Sequence, residues 1–126
     1  MKKIVYLPLD ERPCNYSFCG FLASENTEIK LIRPSLKELG LKKTSADYSA
    51  IHNFLSRECT DADYLILAVD MLVYGGIVPS RLHHLSQEEI FSRVDFIRSL
   101  KTANPKLKIF AFSLVMRCPT YSSGEE

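Results

Sequence analysis

The 126-residue sequence is long enough for one domain with one core, and its composition, 46% apolar and 25% charged, is that of a globular chain rather than a disordered one. Its net charge of +1 comes from 16 Lys and Arg against 15 Asp and Glu, scattered along the chain, which leaves no basic footprint for nucleic acid or an anionic membrane. No apolar stretch reaches membrane-spanning length, and the run Ile4 to Leu9 is too short for a signal peptide before Asp10-Glu11-Arg12 interrupts it.

In chain order, the β-branched and aromatic run Lys3 to Leu7 predicts a first strand, halted by Pro8. Asn15 is placed to cap a short helix through Ala23, with Phe18, Phe21 and Leu22 expected on a buried face and Gly20 weakening it. Glu28 to Ile32 reads as a second strand ended by Arg33-Pro34, followed by a loop from Pro34 to Lys43. A second helix is expected over Ser45 to Arg57. Thr44 would be its N-cap, Asp47 stands three residues on, and Tyr48, Ile51, Phe54 and Leu55 recur at helical spacing.

Tyr64 to Val69 is apolar throughout and lies between Asp63 and Asp70, the pattern of a strand buried on both faces of a parallel sheet. Ser86 with Glu89 three residues later forms a capping box, and Leu85 is placed to staple onto Ile90. The helix they open carries Val94, Ile97 and Leu100 and should end near Thr102. Leu107 to Met116 completes the pattern as a fourth strand, expected to be largely buried, and residues 119–126 read as a polar tail open to disorder. The order β-α-β-α-β-α-β predicts an α/β fold with a mostly parallel sheet. It is either open and Rossmann-like or part of a barrel, and three α/β/α layers are the preferred arrangement.

Residues just past the carboxyl ends of such strands converge on the edge where ligands bind. Three segments therefore carry the candidate chemistry: Pro8 to Asn15, Asp70 to Arg81, and Arg117 to Ser123. Asp10 and Asp70 are the expected catalytic carboxylates. A charge ending the most apolar strand is costly unless it is paired, hydrogen-bonded or bound to a cation. Arg12, Asn15, Ser80, Arg81 and Arg117 are expected to hold the substrate, the arginines suiting a carboxylate or phosphate. Gly75-Gly76 permits positive φ and presents backbone amides to an anion in a nest, or else forms a plain turn. The structural alternatives are an Asp10–Arg12 pair, Asn15 acting only as a helix cap, and Asp70 bridged to Arg81 or Arg117.

Several chemistries have no motif behind them: no Walker loop, GxGxxG, HExxH, GxSxG or calcium-hand loop is present. His83 and His84 are adjacent and would point apart, and His52 is expected to be solvated on its helix. The cysteines at 14, 19, 59 and 118 lack CxxC spacing, so reduced thiols in the cytoplasm are expected.

The segments YLPLDERPCN, DMLVYGGIVPSR and MRCPTYSSGEE, in this order over nearly the whole chain, resemble the bacterial family called domain of unknown function 4127. Its members continue beyond this sequence, so the resemblance implies that residues 1–126 are a single α/β domain or the N-terminal part of a longer chain, whose remainder would be a partner. It supplies no reaction and no catalytic residue. The residues themselves suggest a hydrolase-like enzyme acting on a small polar or sugar-like metabolite, with Asp10 and Asp70 as acid and base. No cofactor is evident, and the same carboxylates leave room for a divalent metal such as Mg²⁺. The alternative is a domain that binds an anionic metabolite without catalysis.

Overall fold

A computed structural model describes residues 2–39, 45–76, 79 and 84–114. Four strands pair in parallel in the order β2-β1-β3-β4: β1 (Lys2–Leu7), β2 (Ile29–Ile32), β3 (Tyr64–Ala68) and β4 (Lys108–Phe112). The helices are α1 (Pro13–Ser24), α2 (Tyr48–Glu58), α3 (Val69–Tyr74) and α4 (Gln87–Ala103), and a 3₁₀ turn (Cys59–Asp61) follows α2. The α/β fold is therefore present. In a barrel of consecutive units β1 would be flanked by β2 on one side only, whereas here it lies between β2 and β3. The chain steps outward from β1 to β2 and then crosses back to β3 and β4, which is the order of an open sheet.

The alternation of side chains along the strands sorts the residues by face. Val5 pairs with Leu65, Leu7 with Leu67, and these with Ile109 and Ala111 on β4. Ile51, Phe54 and Leu55 of α2 and Phe96 and Leu100 of α4 close over this face as one core. The opposite face carries Ile4, Tyr6, Tyr64, Ile66, Phe110 and Phe112, and α1 lies on its β2 side. The Tyr6 hydroxyl donates to the carbonyl of Asn15 there, at 2.5 Å.

Several local expectations need correction. The N-cap of α1 is Arg12, with Pro13 in the first turn where its missing N–H is harmless, so Asn15 lies inside the helix and does not cap it. Phe18, Phe21 and Leu22 point outward, Leu22 being 78% exposed, because Gly20, Ala23 and Ser24 face β2 instead. α2 begins at Tyr48 rather than Ser45. Its cap is Asp47, whose carboxylate accepts from the amides of Ser49 (3.0 Å) and Ala50 (3.4 Å), while Thr44 lies outside the described residues.

β3 ends at Ala68, and the chain turns at once into α3, so Asp70 sits in the first turn of a helix and not in an open loop. Ser86 caps α4 as expected, accepting from the Glu89 amide at 3.2 Å; Phe96 and Leu100 are buried, whereas Val94 is exposed. β4 is shorter than Leu107 to Met116 and, at the sheet edge, exposes Phe110 and Phe112 rather than burying them. The tail expected at 119–126 lies outside the described residues. Among the described residues, no helix is long and apolar enough to cross a membrane.

Candidate functional site

Leu7 and Leu67 are register partners on the two central strands, and three residues beyond each stands an aspartate: Asp10 after β1 and Asp70 after β3. Both are buried, each only 4% exposed. The chain leaves β1 towards β2 and leaves β3 towards β4, so the two exits diverge. In open α/β sheets such a reversal of strand order is where ligands bind, outside the carboxyl ends of the strands. The parallel pairing of two sequence-distant strands thus brings both expected catalytic residues to one edge.

The surroundings of the two carboxylates differ. Asp10 Oδ1 accepts from the backbone amide of Arg12 (3.1 Å) and from Nδ2 of Asn15 (2.7 Å), and Oδ2 accepts from Nε of Arg12 (2.8 Å). The pairing of Asp10 with Arg12 foreseen as a structural alternative is therefore present. The Arg12 side chain remains 54% exposed beyond it. Asn15 is held from the other side by Tyr6, whose phenol burial pushes above its ordinary value, with Cys19 and Asp10 adding to the shift. Tyr6 therefore stays protonated as a donor. Sequence reasoning missed it, although period-2 alternation places it on the opposite face from Val5 and Leu7.

Asp70 has a sparser environment. Its Oδ2 accepts from the backbone amide of Leu114 at 3.1 Å, which ties the exit of β3 to the exit of β4. No cation among the described residues lies within salt-bridge distance of it. Arg81 and Arg117, its expected partners, and Ser80, expected beside substrate, lie outside the described residues.

Gly75 and Gly76 adopt positive φ, 84° and 142°, as their spacing suggested. Their amides close the end of α3, Gly75 donating to Met71 O (3.0 Å) and Gly76 to Asp70 O (3.4 Å), which is the turn arrangement rather than an anion nest. A side chain on Gly75 would meet the Ala46 amide nitrogen at 2.6 Å, so this glycine also permits a close backbone approach.

His52 is half-buried rather than solvated, its ring 3.9 Å from that of Phe96, and His83 lies outside the described residues. Among the described residues, no three His, Cys, Asp or Glu side chains cluster in the manner of a metal site. Cys14, Cys19 and Cys59 are free thiols.

Residues 4–126 match the family model described as "Protein of unknown function (DUF4127)". No curated protein and no solved structure matches the chain.

Proposed function

This chain belongs to that family, and we propose that the carboxyl edge of β1 and β3 binds a small polar, sugar-like metabolite and hydrolyses it, with Asp70 as the acid–base group. The observation that carries this reading is the Asp70 carboxylate, 4% exposed, with one backbone donor and no cation among the described residues. A carboxylate kept from water with so little compensation is costly for stability, and that cost is tolerated where the group does chemistry. Asp10 acts as the positioning residue, fixing Arg12 and Asn15, and the exposed Arg12 guanidinium meets a substrate oxygen or anionic group.

The sheet is then the opening part of a Rossmann-like domain, with the site where the strand order reverses. Ser80, Arg81 and Arg117 complete the substrate contacts in this reading. The remainder of a longer chain is a partner, and the free cysteines fit the reducing cytoplasm. The reading leaves room for Mg²⁺, which needs only one or two carboxylates beside its waters.

A panel of p-nitrophenyl glycosides, phosphates and acyl esters tests the proposal. We expect turnover of one class and a loss of at least about 100-fold in kcat/KM in Asp70→Asn, with circular dichroism unchanged. Full activity in the folded variant overturns it, and EDTA sensitivity marks the metal-assisted form. The second reading, anion binding without catalysis, is favoured by the Asp10 oxygens being engaged already by three donors. It predicts thermal stabilisation by one of the corresponding sugars or sugar phosphates, with no product formed.

A further inference from the structure

A cavity of about 360 Å³ lies between the start of α2, Met71, Leu72 and Tyr74 of α3, and Arg93 of α4, and neither Asp10 nor Arg12 lines it. That volume falls in the small-molecule range of roughly 300–1,000 Å³. Met71 and Leu72 of α3 form a buried apolar wall, and the rings of Tyr48 and Tyr74 flank it. Gly75 shapes the floor. Its carbonyl accepts the Ala46 amide at 3.0 Å, and its lack of a side chain lets residues 45 and 46 approach.

Besides Ser45, His84 and the two tyrosines, the lining carries one guanidinium, that of Arg93. Its guanidinium carbon stands 4.1 Å from the centre of the Tyr48 ring, and Nη1 donates to the carbonyl of Val73 at 2.6 Å. A stacking contact and a hydrogen bond together fix the plane of the fork. The Val73 carbonyl, near the end of α3, carries only partial negative charge, and no carboxylate of the described residues lies within salt-bridge distance of Arg93. A half-buried, oriented guanidinium with further N–H groups and no neutralising carboxylate among the described residues is the arrangement that receives a carboxylate. The aromatic rings and the Met71 thioether favour a flat, polarizable body behind that carboxylate.

We infer that this cavity is a binding site for a small aromatic monocarboxylate, whose ring packs against Met71, Leu72 and Tyr74 and whose carboxylate meets Arg93. The site is separate from the proposed hydrolytic edge. α3 serves both, Asp70 at the sheet edge and Met71 and Leu72 in the cavity.

Phenylacetate, with phenylacetamide as its uncharged counterpart, is the probe, and binding is read by thermal shift and by calorimetry on the intact protein. The expected result is saturable stabilisation by phenylacetate, with affinity at least about tenfold weaker for phenylacetamide and for Arg93→Gln, and intermediate for Arg93→Lys, which keeps charge without the planar fork. Ser45→Phe, at the exposed mouth, blocks the cavity without touching the core, and serves should the arginine variants fail to fold. Asp70→Asn retains phenylacetate binding, which separates this site from the hydrolytic reading. The inference is overturned if folded wild-type protein takes up no phenylacetate, if Arg93→Gln or Ser45→Phe binds it as tightly as wild type, or if Asp70→Asn alone abolishes binding.

Discussion

On one face of the sheet Val5, Leu7, Leu65 and Leu67 are fully buried beneath α2 and α4; on the other, Phe110 is 57% exposed and Phe112 is also exposed. The strands supply apolar residues to both faces in alternation, so composition does not distinguish them. The difference lies in which helices come to rest above each face. Two amphipathic helices close the first, while α1 lies on the β2 side of the second and turns Phe18, Phe21 and Leu22 outward.

The largest contrast to test is chemical. Burial pushes the Cys59 thiol, under the covered face, up to about 12 from 9.0, whereas Cys14 is exposed on α1. The Cys59 thiol therefore stays protonated at mildly alkaline pH, before steric exclusion is counted. Iodoacetamide at mildly alkaline pH should therefore label Cys14 rapidly and Cys59 at the rate of unfolding; peptide mass spectrometry reads both. Equal rates would show that α2 does not seal its face.

The next contrast is in stability. Leu67→Ala removes a side chain from the sealed core and should cost about 3 kcal/mol in urea unfolding, whereas Phe110→Ser should change stability by less than about 0.5 kcal/mol. A cost above about 2 kcal/mol for Phe110→Ser would mean that the second face is covered in solution, and sedimentation of the two proteins would show by what.

The smallest effect concerns the amino edge, where Lys3 of β1 meets Glu58 at 3.2 Å and Asp61 at 2.5 Å and so fastens the end of α2 over its face. Hydrogen bonds from Arg57 first and Lys3 second hold the Glu58 carboxyl below its ordinary range. Its contribution is complete above the ordinary carboxylate value and disappears as pH falls through the lowered one. Burial works to lower Lys3, but its bonds to Asp61 and Glu58 outweigh that and raise it, so its contribution is complete below 10.5 and is lost as pH rises through the raised value. Lys3→Met should destabilise by about 0.5 kcal/mol near neutrality, with the deficit vanishing in acid and again in strong alkali. A deficit independent of pH would assign the effect to packing.

Some of the candidate site was legible in the sequence. Asp10, Arg12 and Asn15 lie within six residues of one another and indeed form one hydrogen-bonded group, because short separation leaves few ways for them to avoid contact. Asp70 was legible as a charge at the end of an apolar run. Its bond to the Leu114 amide was not, since that contact spans 44 residues and exists only once β3 and β4 have paired. Arg93 gave no sequence signal at all. It is an ordinary helix-surface arginine until α3 and the start of α2 are packed beside it.

The sequence by itself determined the local and periodic features: the apolar runs of β1 and β3, the Ser86 cap, the positive φ that Gly75-Gly76 permits and the alternation that makes the fold α/β. These depend on interactions within a few residues and on the fixed periods of strand and helix. The tertiary structure decided the reversal of strand order, the faces that helices cover and the placing of Asp10 and Asp70 at the same edge of the sheet. Those features depend on which distant segments pack together, and an apolar residue such as Phe21 satisfies the same helical period whether or not a neighbour arrives to bury it.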